Sequence, residues 1–182
     1  MWIESITILE GEGAMNHRAW CSLVAFGVLT LIHGTSFADS ESERNTLRGL
    51  KGIYVFVEKL KEELIRDGLT VNNVRTDAEL KLRLKGIRVL TEQEWYKEPG
   101  GPHLCIDINV LKLKPTKTYV FAVSVGLKQG VSLIRSSDIE VFGITWSTWG
   151  VGITTELQDI RVRLEEHIDR FITAYLSMNP KK

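Results

Sequence analysis

The sequence predicts an α+β fold in which a mainly antiparallel sheet carries two helices on one face. Two observations lead to this class. Apolar and polar residues alternate over most of the segment 103–153, which is the two-residue period of strands. Apolar residues recur at every third or fourth position over 157–175, the period of an amphipathic helix. With a strand and a helix before the alternating segment, the predicted order is β-α-β-β-β-β-α, a two-layer sandwich.

The first strand is predicted in the stretch GIYVFVEKL, where Ile53, Val55 and Val57 alternate with Tyr54 and Phe56. The charged stretch that follows, KLKEELIRDG, fits either an extension of this strand or a short helix that ends at a turn. Both interpretations stay open from the sequence.

The next element is predicted as a helix within TVNNVRTDAELKLRLKGI. Thr76 and Glu79 have the spacing of a capping box, which would start the helix at Thr76, while Thr70 is an earlier possible cap. Gly86 can adopt the left-handed conformation that closes a helix. A short strand, IRVL, is predicted directly after it.

Three strands and a helix complete the predicted fold. The strands are HLCIDINVLKL, TYVFAVSVGLKQGVSLI and IEVFGITWSTWGVGI, and their short connections favour antiparallel pairing. Thr155 and Gln158 are spaced as a second capping box at the start of the last helix, and Pro180 marks its end.

The amino-terminal segment has the order of a secretory signal. Residues 15–38 begin at Met15 with a short basic region, continue with an apolar block and end in small residues, so we expect cleavage after Ala38. The first 14 residues are interpreted as an untranslated extension caused by a misassigned start, since Glu10 to Gly13 require a purine-rich codon run resembling a ribosome-binding site.

The polar residues 39–48 are predicted to be a flexible leader, and 49–180 a single domain. The protein is therefore expected to be periplasmic or secreted.

Charge and cysteine content limit the possible partners. The whole chain has 23 basic and 23 acidic residues, and 39–182 retains 22 and 20 of them. A charge so close to zero gives no long-range attraction to nucleic acid or to an anionic membrane. We expect no membrane span in the mature chain. Cys105 is its lone cysteine, so an intramolecular disulfide is excluded.

Two resemblances can be stated on these segments. The runs GLTVNNVRTDAELKLRLKGIRVL, HLCIDINV and ITWSTWGVG resemble a group of small, uncharacterised, exported bacterial proteins. The turn from helix through glycine to strand is similar to α+β modules of envelope proteins such as the TolB amino-terminal domain and LptE. This chain departs from LptE because no lipobox cysteine follows the signal. The first resemblance carries no known function, and the second implies a role in the bacterial cell envelope, although fold analogy does not establish function.

One strand carries the candidate catalytic residues. A period of two places His103, Cys105, Asp107 and Asn109 on one face of HLCIDIN. Imidazole, thiol and carboxylate groups on one face could bind zinc or form a Cys-His nucleophile. Neighbouring side chains on one strand converge only partly, and a structural zinc requires four ligands, so we interpret this row as a polar outer face and expect no metal and no cofactor. The other histidine of the predicted mature part, His167, is interpreted as a solvated helix residue.

Trp146 and Trp149 are candidate binding residues. Their odd spacing points them to opposite faces of a regular strand, so one is expected in the core and the other at the surface, where tryptophan is enriched in binding hot spots. The sequence therefore predicts a non-enzymatic binding or assembly module of the cell envelope, whose partner is another envelope protein. That partner would contact the helix-free sheet face or add a strand to its edge. The alternatives are a small Cys/His-dependent or metal-assisted hydrolase and a carrier of a small apolar ligand.

Overall fold

The computed structural model describes residues 40–180, so the predicted signal at 15–38 and the first 14 residues lie outside the described residues. Four strands and five helices follow one another in the described part. They are α1 (Glu41–Asn45), β1 (Tyr54–Val57), α2 (Glu62–Arg66), α3 (Val71–Leu84), α4 (Glu92–Trp95), β2 (His103–Leu113), β3 (Thr118–Leu133), β4 (Ser136–Thr154) and α5 (Leu157–Met178).

The strands form one mixed sheet in the order β1-β2-β3-β4. β2, β3 and β4 make an antiparallel meander, with Ile106 opposite Val125 and Val125 opposite Thr148. β1 pairs in parallel with the start of β2, because the chain passes through α2, α3 and α4 before it returns to the sheet. This arrangement confirms the predicted α+β class and its mainly antiparallel sheet.

The strand predicted for IRVL is reduced to one isolated bridge, in which Val89 pairs with Ile53. The Leu90 N–H donates to the Ile53 carbonyl at 2.9 Å, and the chain then leaves the sheet. It does so because Thr91 forms a capping box with Glu94 and starts α4 directly afterwards. The observed sheet therefore has four strands, one fewer than predicted.

Helix starts also differ from the sequence prediction. α3 begins at the earlier of the two candidate caps, where the Thr70 hydroxyl accepts a hydrogen bond from the Asn73 N–H at 3.2 Å. The predicted capping box of Thr155 and Gln158 is wrong, because Glu156 is the N-cap of α5 and makes no side-chain capping bond. The Thr154 hydroxyl accepts from the Glu156 N–H instead. The undecided stretch KLKEELIRDG contains the short helix α2.

The leader predicted as flexible over residues 39–48 is largely folded. Ser40 and Glu43 form a capping box at the start of α1. Leu47 is completely buried, and its carbonyl accepts a hydrogen bond from the Asn179 side chain at 2.8 Å. Composition alone could not indicate this, because a single apolar residue in a polar stretch carries the attachment.

The core lies between the sheet and its helices. Both long helices cover the same face, because a single apolar cluster includes Leu82 of α3, Ile168 of α5 and Ile106 of β2. Lys81 of α3 forms an ion pair with Asp169 of α5 at 2.8 Å, which places the two helices side by side. At the centre, Trp146 packs edge-to-face against Phe171 with ring centroids 5.2 Å apart.

Two glycines of β4 allow side chains to approach the sheet closely. A Cβ atom at Gly152 would stand 2.5 Å from the ring of Phe121, and one at Gly150 would stand 2.8 Å from His167 Nε2. Real Cβ contacts are longer than this, so the GVG sequence of β4 serves close packing, as expected for glycine within a strand.

We predict that Leu47→Ala destabilises the protein by about 2–5 kcal/mol, because it leaves a cavity in place of a fully buried leucine side chain. Glu41→Ala is the matched control in the same segment, since Glu41 is exposed, and its effect should stay within about 0.5 kcal/mol. Urea unfolding followed by circular dichroism measures both. Equal, negligible effects would show that this segment does not belong to the folded core.

Candidate functional site

The face of the sheet opposite the helices, here called the open face, exposes a set of apolar side chains. These side chains are between 42 and 65% exposed: Leu111, Leu113, Trp149, Val151 and Ile153. Strand register aligns them across the sheet, since Leu111 lies opposite Val120 and Val120 lies opposite Ile153. The apolar surface therefore extends over three strands.

The two candidate tryptophans have different environments. Trp146 is 1% exposed and belongs to the core, whereas Trp149 is 48% exposed on the open face. Trp149 lies opposite Ser124 of β3. Of this pair, only Trp149 is accessible for binding.

Beyond Trp149 the open face carries charged side chains beside the exposed Ile144. A shallow depression of about 320 Å³ is bordered by Trp149, Glu58, Asp107 and Lys128, and Cys105 also lines it. Lys128 Nζ is 3.8 Å from a carboxylate oxygen of Glu58. Charged side chains thus border the apolar part of the face.

The candidate catalytic residues share one face, as the alternation predicts, but each is bound to a different neighbour. The Cys105 thiol donates to Glu58 Oε1 at 3.6 Å, and Asp107 accepts from the Asn109 amide at 2.8 Å. His103 Nδ1 lies 3.1 Å from the Gly101 carbonyl oxygen. No imidazole–thiol hydrogen bond joins His103 to Cys105 in the described structure, so the arrangement of a Cys-His nucleophile is not formed.

The environment of Cys105 also disfavours nucleophilic chemistry. Burial raises the pKa of the Cys105 thiol, and the neighbouring Glu58 carboxylate raises it further, while Lys128 acts in the opposite direction. The reactive form of cysteine is the thiolate, which a raised pKa depletes. Within residues 40–180, no three His, Cys, Asp or Glu side chains are grouped so that they could hold a metal ion.

His167 is buried, contrary to the prediction of a solvated histidine. It is 5% exposed, and its Nδ1 lies 2.9 Å from the Thr148 hydroxyl. Burial lowers the pKa of His167; Arg170 and Arg163 lower it further, and Glu166 opposes them. The sequence could have indicated this burial, because position 167 is three residues after Leu164 and four before Phe171, on the apolar stripe of α5.

A second surface feature, here called the aromatic cleft, was not identified from the sequence. It has a volume of about 460 Å³ and lies between the loop after α4 and the β3–β4 hairpin. It is lined by Trp95, Tyr96, Glu98, Gly100, Gly101, Gly130, Glu140, Val141 and Phe142. The sequence signal was the adjacent pair of aromatic residues before Gly100-Gly101, but the third ring comes from a distant strand.

Comparison with known proteins assigns no family. No protein-family model matches the sequence, and a search of curated proteins finds no match. The chain is similar to a solved structure of a PelC variant from Paraburkholderia phytofirmans, which is described as a dodecamer. The sequences are 15% identical, the match covers 80% of this chain and 98% of that chain, and the TM-score is 0.42. In the part of the chain that the structure describes, no helix combines the length and apolar character needed to cross a membrane.

We predict that the Cys105 thiol of the folded protein reacts with iodoacetamide at least about tenfold more slowly than in urea, because it is buried and its pKa is raised. His103→Ala should leave this rate unchanged within about twofold, since no hydrogen bond links the two side chains in the described structure. Mass spectrometry of the peptide that contains Cys105 measures the rate. Rapid alkylation that depends on His103 would instead support the hydrolase alternative.

We further predict a loss of stability in acid that depends on His167. Its pKa is lowered in the folded state from 6.5, so below that pH the unfolded chain binds a proton that the folded protein resists. The free energy of unfolding should therefore fall as the pH is lowered below 6.5, by at most about 1.4 kcal/mol per pH unit from this group. Above pH 6.5 His167 should contribute no pH dependence, because it is neutral in both states. Urea titrations at several pH values test this. The same acid slope in His167→Gln would contradict the assignment.

Proposed function

We propose that this protein is a non-catalytic binding module that docks another protein of the bacterial cell envelope on its open face. The observation that carries the proposal is the exposure of Leu111, Trp149, Val151 and Ile153 on one face of the sheet. A contiguous apolar patch of this kind is uncommon on a monomeric protein unless it is a site of interaction.

The arrangement of the open face favours a protein partner. Its apolar part is continuous over β2, β3 and β4, so a flat complementary surface can exclude water from all three strands together. Glu58 and Lys128 lie beyond Trp149, where partly exposed charges would form the polar rim that surrounds interface cores. An apolar centre with a charged border on one side is the anatomy of a specific protein interface.

Trp149 is the proposed anchor of this interface. A tryptophan offers a large apolar area with few rotatable bonds, and tryptophan side chains dominate the binding energy of many interfaces. The backbone of Trp149 is held in the middle of the β3–β4 ladder, opposite Ser124. Binding would therefore need little rearrangement of the strand that presents it.

The proposed compartment depends on the amino-terminal segment. Residues 15–38 have the basic, apolar and small-residue order of a secretory signal, so we place the mature protein in the periplasm or outside the cell, with cleavage after Ala38. The mass of the intact protein from the envelope fraction tests this directly. A chain that retains Met15 and stays in the cytosol would contradict the proposed location.

The alternative functions have less support. A hydrolase would need a Cys105 thiolate, whereas burial and the neighbouring Glu58 carboxylate raise the pKa of the thiol. A carrier of an apolar ligand would need an enclosed cavity, whereas both the depression on the open face and the aromatic cleft are open to solvent.

We predict that Trp149→Ser weakens partner capture at least about tenfold, because it removes the proposed anchor of the open face. The measurement is photo-crosslinking in intact cells from a reactive amino acid placed at Val151 of the full-length protein. Leu84→Ser is the matched control, since Leu84 is 74% exposed at the end of α3 and does not belong to the open face.

Thermal unfolding of both variants checks that the fold is intact, because substitutions of exposed residues usually change stability by no more than about 0.5 kcal/mol. Capture of the same partner by the Trp149→Ser variant at wild-type yield would reject the proposed interface. The absence of any specific crosslink from position 151 would reject it as well.

A further inference from the structure

The aromatic cleft is built as a rigid site. The ring of Trp95 stacks on Tyr54 with centroids 5.3 Å apart and planes 20° from parallel. Its indole N–H donates to the Gly101 carbonyl at 2.7 Å. Since the backbone of Gly101 has φ of 49°, the loop turns sharply there and brings its carbonyl to Trp95. The position of the central ring is therefore fixed before any ligand binds.

The two walls of the cleft are joined to each other. The Gly130 N–H of β3 donates to the Gly100 carbonyl of the loop at 2.7 Å, which ties the hairpin to the loop after α4. A Cβ atom at Gly101 would stand 3.2 Å from Trp95 Nε1 and 3.4 Å from the Phe142 ring. Glycine at this position lets rings from two distant segments border one space.

The charge of the cleft has one sign. Glu98 and Glu140 line it, and no lysine or arginine does. Among the ion pairs of the described residues, neither carboxylate has a partner, whereas the nearby Glu94 is paired with Arg88 at 2.6 Å. The cleft thus combines aromatic rings with two negative side chains that form no ion pair within residues 40–180.

We propose that the aromatic cleft binds an organic ammonium group. Such a cation is attracted to aromatic rings by their quadrupoles, and Trp95, Tyr96 and Phe142 all border the cleft. The carboxylates of Glu98 and Glu140 attract a cation and repel an anion, and they give no advantage to a neutral ligand. The volume of about 460 Å³ is within the range of small-molecule sites. The ammonium belongs either to a free small molecule or to a lysine side chain of a polypeptide.

The test compares choline with its neutral isostere, in which carbon replaces the quaternary nitrogen. The full-length protein is titrated with each, and the NMR resonance of the Trp95 indole N–H reports binding. Choline should shift this resonance with a dissociation constant of about 1 mM or below, a strength within reach of so small a ligand. The neutral isostere should bind at least about tenfold more weakly, because it lacks the charge that the rings and carboxylates recognise.

Four variants locate the site. Tyr96→Leu and Phe142→Leu each remove one ring from an exposed position and should weaken choline binding about three- to tenfold. Glu98→Gln and Glu140→Gln keep the shape of the cleft while removing charge, and each should weaken binding by a similar factor. Glu92→Gln is the matched control, since Glu92 is exposed on α4 and does not line the cleft. Its affinity for choline should equal that of the wild type.

Three results would overturn the proposal: equal binding of choline and its isostere, unchanged affinity in both glutamine variants of the cleft, or no shift of the Trp95 resonance.

A blocked lysine and a short lysine-containing peptide distinguish the two sources of the ammonium group. Tighter binding of the peptide than of choline assigns the cleft to a polypeptide side chain, and the reverse assigns it to a free ammonium compound. Trp149→Ser should leave choline binding intact, so this proposal and that of the open face can fail separately.

Discussion

The structure depends on the packing of α5 against the middle of the sheet. Trp146 and Phe171 meet there edge-to-face, both almost fully buried. The same helix holds the start of the described chain, because the Tyr175 hydroxyl donates to the Leu50 carbonyl at 2.8 Å. Since α3 lies beside α5 on this face, the apolar core is completed on one side of the sheet alone. The opposite face is therefore available for function and does not contribute to the core.

The sequence predicted those parts of the fold whose signal is local. Strand alternation and the stripe of α5 repeat over many residues, so β2, β3, β4 and α5 could be placed from the pattern. Non-local features could not be derived in this way. The parallel pairing of Tyr54 with His103 joins segments far apart in sequence, and the folding of the leader depends on Leu47 and a distant asparagine side chain. The prediction of a strand at IRVL was wrong because the capping residue Thr91 starts a helix immediately after it.

The same distinction applies to the candidate sites. A period of two correctly put His103, Cys105 and Asp107 on one face, but it could not show whether they act on one another. That is decided by partners from other elements: Glu58 binds the thiol, and the Gly101 carbonyl lies beside the imidazole. The aromatic cleft was missed for the corresponding reason, since its walls come from a loop and a hairpin that meet only in the folded chain.

The order of strands in the sheet also bears on how the chain folds. β2, β3 and β4 follow one another through short turns, so their pairing closes only small loops. β1, in contrast, reaches its place beside β2 only after the long connection through α2, α3 and α4 has been closed, and contacts of such sequence separation slow folding. While β1 is absent, the β2 edge that it covers has unpaired backbone groups, which are a template for association with another chain. The edge of β2 that another chain could join is therefore longer before β1 pairs with His103–Ile106 than afterwards, which makes late pairing of β1 a risk for aggregation.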